Sequence, residues 1–114
     1  GAALGPERRR GRANPRPAMN VTLRAEAQED LEDAAQWYEE QRRGLGGRLL
    51  DEALRTIGLI AESPRSYPRV HGELRRAVTR RFPFGIFYLI ENDGVVVIAV
   101  MHASRDPDRW KERA

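Results

Sequence analysis

Residues 75–110 read RRAVTRRFPFGIFYLIENDGVVVIAVMHASRDPDRW, and how this stretch is parsed decides the fold. Two apolar runs, residues 82–90 and 95–101, are joined by Glu91-Asn92-Asp93-Gly94, a turn signal that makes a β-hairpin the simplest connection. A third strand over residues 74–79 precedes them, so the whole reads as a β-meander. Where the last run ends the chain turns polar, as His102-Ala103-Ser104-Arg105-Asp106-Pro107-Asp108-Arg109-Trp110. Polar groups at strand ends are where sites collect. Asp106 and Pro107 suit the N-cap and first position of a short C-terminal helix.

Upstream of the meander the period changes from two to that of a helix. Leu31, Ala34, Ala35 and Tyr38 fall at i, i+3, i+4 and i+7, which predicts a helix from Glu26. Arg42-Arg43 and Gly44 predict its end, with Gly44 as the C′ residue. A second helix over residues 45–62 places Leu50, Ala53, Leu54, Ile57 and Ala61 on one stripe, and Ser63-Pro64 stops it. The short link makes the two an antiparallel hairpin whose apolar stripes need a sheet to cover. A strand over residues 21–24 comes first. The expected fold is therefore α+β: an N-terminal strand, a two-helix hairpin on a mainly antiparallel sheet of about four strands, and a short C-terminal helix.

With 114 residues the chain suits one core. It has no cysteine, which excludes disulfides, thiolate chemistry and cysteine-held metals. His71 and His102 lack an i, i+4 spacing, so neither a protein-only metal site nor any cofactor is expected. No apolar run reaches the roughly 20 residues of a bilayer span, and the reading is of a cytoplasmic protein without membrane contact.

Charge is informative only when divided along the chain. Residues 1–18 carry five arginines against Glu7, whereas residues 19–114 hold 15 basic and 16 acidic groups. The first segment, with three prolines and no apolar period, is expected to be a disordered basic tail, an upstream in-frame extension or a cloning remnant, with Met19 the natural start of the domain. Within the domain, residues 26–62 hold ten acids and four bases, while residues 64–81 hold six arginines and only Glu73. Such polarity predicts a cationic face for an acidic partner.

The order strand, helix, helix, strand, strand, strand comes with distinctive words. These are Ala34-Ala35-Gln36-Trp37-Tyr38, Ser63-Pro64, Phe82-Pro83-Phe84-Gly85-Ile86-Phe87-Tyr88, and the segment from Val100 through His102 to Trp110. Together they resemble the RelE/ParE superfamily of bacterial toxins from type II toxin–antitoxin modules, including those of plasmid stabilization, over residues 19 to about 113. The wording is closer to the ParE-like branch.

The resemblance implies a cognate antitoxin as partner and one of two targets. ParE-like members bind and inhibit DNA gyrase and so arrest growth. RelE-like members cleave messenger RNA in the ribosomal A site, which calls for a base, a cation beside the phosphate and an acid. They often place a lysine pair near the second strand and an arginine within the word matched here by residues 84–88. In this chain the sole lysine is Lys111, and Gly85 stands at the arginine's place. A ribonuclease would have to rely on His102 and Arg105, beside Ser104. Arginine stays protonated, so an arginine-rich set suits binding better than proton transfer. Arg75, Arg76, Arg80, Arg81, Arg105 and Trp110 are thus the expected contacts to target or antitoxin, with no direct DNA binding by the toxin alone. An inactive member kept as a binding module is the third reading.

Overall fold

The computed structural model describes residues 18–104 and 107–114. Their elements are β1 (Asn20–Leu23), α1 (Ala25–Gln41), α2 (Leu45–Glu62), a 3-10 turn (Pro64–Ser66), β2 (Arg69–His71), β3 (Leu74–Val78), β4 (Phe84–Glu91), β5 (Gly94–His102) and α3 (Pro107–Lys111). The α+β architecture agrees with the sequence reading. The expected tail falls almost wholly outside the described residues, as do Arg105 and the expected cap Asp106.

One correction concerns the sheet, which has five strands rather than four, in the order β1-β5-β4-β3-β2. The extra strand is β2. Its three residues show no apolar alternation, only Val70 between exposed Arg69 and His71, so its sequence carries no strand signal. It forms because Gly72, at φ +57°, turns the chain back antiparallel to β3. All neighbours are antiparallel except β1 and β5, which run parallel.

The β4–β5 hairpin closes as its residues predict: Asn92 and Asp93 both take left-handed φ, 48° and 65°, and Glu91 pairs with Gly94. Gly44 behaves differently from expectation. Helix α1 is capped by Arg42, and Gly44, at φ +90°, is the N-cap of α2. Glu39 of α1 explains the shift, since its carboxylate accepts hydrogen bonds from the N–H groups of Gly44 and Gly46, at 2.9 and 3.0 Å. Those donors have no partner within their own helix. A Cβ on Gly46 would lie 2.4 Å from the Ala35 carbonyl oxygen, so the helices meet backbone to backbone here.

The buried stripe of α2 is also rotated from the expected one. Leu49, Ala53, Ile57, Ile60 and Ala61 are buried, while Leu54 is 62% exposed. With the helices laid on one face of the sheet, Leu31, Ala35, Leu49 and Ile60 pack against Ile86, Tyr88, Val97 and Val100. The opposite face carries a smaller core of Leu74, Phe87, Ile98, Ala99, Met101 and Trp110. A β-bulge divides these roles: Phe87 pairs with Ala99 but Tyr88 with Val97, so Ile98 is the extra residue and both Ile98 and Ala99 join the second core. Past the bulge the alternation is reversed, which turns His102 toward the helix side, against Phe84.

Candidate functional site: the open end of β5

Strand β1 accompanies β5 only along Gly94 to Val97. The Arg24 N–H then bonds the Val97 carbonyl at 2.9 Å and the chain turns away into α1, leaving residues 98–102 of β5 with an unpaired edge. Part of that edge is closed by two side chains distant in sequence. Asp30 of α1 accepts from the Val100 N–H at 3.0 Å, and Arg113 donates to the Ile98 carbonyl at 3.2 Å. The two are joined by a double hydrogen bond, 2.5 and 3.1 Å, and the bond to Asp30 raises the Arg113 guanidinium above its ordinary value. The pair is largely shielded, which strengthens it relative to surface ion pairs.

Beyond Asp30 a groove of about 710 Å³ opens. Helix α1 supplies Asp30, Asp33, Ala34, Trp37 and Tyr38, the sheet supplies Phe84, Val100, Met101 and His102, and Ser104 and Arg109 complete it. Edge-to-face contacts link Trp37 to Tyr38 at 5.0 Å, Tyr38 to Phe82 at 5.1 Å and Phe84 to His102 at 5.6 Å. Trp37 ends this series 55% exposed, an indole held in place with its outer face free.

His102 is held by its own loop. Its Nδ1 lies 3.1 Å from the backbone nitrogen of Ser104 and 2.7 Å from Ser104 Oγ. A backbone N–H can only donate, so Nδ1 accepts and the neutral ring carries its proton on Nε2. In this tautomer the imidazole offers a donor, not a base.

The arginines do not converge. Arg75, on the helix side of β3, donates to the carbonyl oxygens of Arg65 and Tyr67, at 3.2 and 2.5 Å, and so holds the segment leading from α2 to β2. Arg76 lies on the opposite face, where it pairs with Phe87. Its aliphatic stem lies 3.0 Å from where a Gly85 Cβ would stand, so Gly85 makes room for it. Arg80 and Arg81 are exposed in the turn before β4, where the Arg80 N–H bonds Glu52 at 2.8 Å. Trp110 is 7% exposed and stacks on Phe87 at 4.7 Å, with Lys111 over its ring at 5.9 Å. None of Arg75, Arg76, Arg80, Arg81 or Trp110 lines the groove that holds His102.

Sequence reasoning passed over Asp30, Asp33, Arg109 and Arg113. Asp30 looked like one of several acids favoured by the helix dipole, and nothing local marks it as the partner of a backbone amide 70 residues away. Arg113 gives no local signal at all. Trp37 was legible as an aromatic but not as an exposed one.

A family described as the ParE toxin of the type II toxin–antitoxin system parDE matches residues 21–107. This chain belongs to that toxin family. Among solved structures it is similar to the chromosomal ParDE system of P. aeruginosa, with TM-score 0.68 and 11% identity over 75% of this chain and 96% of that one. It is also similar to the RelBE2 toxin–antitoxin complex of Mycobacterium tuberculosis, with TM-score 0.56 and 19% identity over 75% and 99%. A third is the protein HP0894 of Helicobacter pylori, with TM-score 0.52 and 16% identity over 75% and 96%. At these identities the likeness is one of fold. A search of curated proteins gave no match. Among the described residues no helix is long and apolar enough to cross a membrane.

Proposed function

We propose that this toxin acts in the cytoplasm by binding DNA gyrase and inhibiting it, without cutting RNA, and that a cognate antitoxin neutralises it. The observation that carries this reading is the separation of the groups a ribonuclease would need. His102 faces the helix side of the sheet while Arg76 lies on the other, and Arg75 is bonded to two carbonyls beside Tyr88, four residues along β4 from His102's partner Phe84. Attack by a 2′-hydroxyl requires a base and a cation within hydrogen-bond reach of one phosphate. Among the described residues, His102 has no accepting nitrogen turned outward, and of the arginines only Arg109 lines its groove, while Arg75, Arg76, Arg80 and Arg81 all lie outside it.

The test sets two assays side by side. Purified toxin is expected to block supercoiling by purified gyrase with no ribosome present, and to leave messenger RNA intact in a translating system. Codon-internal cuts that disappear in His102→Ala would establish the ribonuclease instead. Expression without antitoxin is expected to arrest growth; normal growth would indicate an inactive binding module. The exposed Arg80 and Arg81 remain the cations best placed for an acidic antitoxin segment, and their reversal to glutamate is expected to weaken antitoxin binding and flatten its salt dependence.

A further inference from the structure

At the corner where α2 meets the loop between β3 and β4, arginines distant in sequence come together. Helix α2 meets α1 at Gly46. At 3.6 residues per turn, Arg48 and Arg55 then lie on the opposite flank of α2, away from the acids crowded on α1. Arg48, Glu52, Arg55 and Leu59 fall at i, i+4, i+7 and i+11, one stripe along that flank. Glu52, inside the stripe, accepts the Arg80 N–H at 2.8 Å and so fixes the loop against the helix.

The loop is closed by its own bonds. The Thr79 N–H bonds the Phe84 carbonyl at 2.9 Å, the Phe84 N–H bonds the Phe82 carbonyl at 2.8 Å, and the Thr79 hydroxyl donates to the Phe82 carbonyl. Arg80 and Arg81 therefore leave a fixed backbone beside Arg48 and Arg55, which are about 10 Å apart along the helix axis. All four arginines are exposed, and among the described residues none has an ion-pair partner. The acids on this stretch of α2 are Asp51 and Glu52, and Glu52 is already engaged by the loop. The corner is cationic.

The chemistry of the corner selects its ligand. Arginine keeps its charge and offers a planar fork that fits phosphate oxygens two at a time. A protein partner draws most of its energy from buried aromatic or apolar anchors, and this stripe has only Leu59, 41% exposed, at one end. Without an aromatic side chain it cannot stack unpaired bases, so the fitting ligand is a duplex met along its backbone. Gyrase, the target proposed above, works on duplex DNA, and a toxin seated on it stands beside those phosphates.

We propose that Arg48, Arg55, Arg80 and Arg81 grip the phosphate backbone of duplex DNA, the substrate of the enzyme that the toxin inhibits. The proposal rests on the gyrase reading, and it departs from the expectation, drawn from the sequence, of no direct DNA contact by the toxin alone.

The test measures binding of the full chain to a short DNA duplex by fluorescence anisotropy over a series of salt concentrations. Arg48→Ala, Arg55→Ala, Arg80→Ala and Arg81→Ala are each expected to lower the slope of log affinity against log salt by about 1, and Arg69→Ala, outside the corner, to leave it unchanged. In the supercoiling assay the fourfold variant is expected to inhibit gyrase at least about tenfold more weakly than wild type. Slopes unchanged in all four variants overturn the proposal, since the arginines of residues 1–18 would then hold the DNA. An RNA duplex bound more tightly than the DNA also overturns it, as does a polyglutamate of equal charge that binds as tightly and is lost in the same variants. If wild-type toxin leaves gyrase active while the variants still lower the slope, the gyrase reading falls and the DNA contact stands. If wild type inhibits gyrase and the variants change neither slope nor inhibition, the DNA contact falls alone.

Discussion

Strand β3 and the groove at the far end of β5 both gather charged side chains, yet they are built in opposite ways. In β3 the charges are adjacent in sequence and diverge in space: Arg75 faces the helices and is held by two carbonyls, and Arg76 faces away, over Gly85. At the end of β5 the charges come from two distant segments and converge, with Asp30 and Asp33 from α1 and Arg109 and Arg113 from the C-terminal segment. A run of like charges along a strand is split by the two-residue alternation, whereas a groove is assembled by tertiary packing. The first is conspicuous in sequence and serves largely to hold the chain; the second is inconspicuous and makes the concave surface.

That contrast can be broken by mutation. The largest expected effect is at the groove's foundation. Asp30→Ala leaves the Val100 N–H and the Arg113 guanidinium without their partner and is expected to cost about 3 kcal/mol, read as a fall in denaturant midpoint. Adding Arg113→Ala to it should cost less than the sum of the single changes, since the two share one interaction. Next, Arg75→Ala is expected to lose about 2 kcal/mol of stability, because its bonds are to carbonyls from a charged donor, while leaving antitoxin affinity near wild type. If instead affinity collapsed and stability held, β3 would be a binding surface after all.

A pH measurement sharpens the same point. Tyr88 is buried and donates to the Pro64 carbonyl at 2.5 Å, and burial pushes its hydroxyl up to about 12 from 10.0, against the opposing charge of Arg75. The folded value lies above the unfolded one, so the stabilisation is complete below pH 10 and is lost as pH rises from 10 through about 12. Tyrosinate absorbance should show Tyr88 titrating at that upper value, and Arg75→Ala should move it higher still. Smallest of all, Arg80→Ala and Arg81→Ala are exposed changes expected to alter stability by about 0.5 kcal/mol or less in thermal melts, so any effect they have belongs to binding.

Much of the fold was legible because it is written locally. The Asn92-Asp93 turn, the helical spacing of Leu31, Ala35 and Tyr38, and the Ser63-Pro64 stop each involve a few neighbouring residues whose backbone preferences agree. Strand β2 was not legible, since Arg69-Val70-His71 has no apolar face and depends on the Gly72 turn and on β3. The rotated stripe of α2 shows the same limit. Leu54 has the right spacing, but with Gly46 set close against the Ala35 backbone the helix is rolled so that Leu49 and Ile60 are buried, Leu50 is half-buried and Leu54 is left exposed.

The amino-acid sequence by itself determined the element order, the antiparallel hairpins and the membership of a toxin family, because turn chemistry, periodicity and word order are properties of short stretches. Only the tertiary structure decided which way His102 faces. From Val95 and Val97, strict alternation would carry His102 to the side of Trp110; the extra residue Ile98 reverses the count and turns it to Phe84 and the groove. Whether a strand takes up an extra residue depends on what both faces of the sheet must bury, and that is known only once helices, sheet and C-terminal segment are packed together.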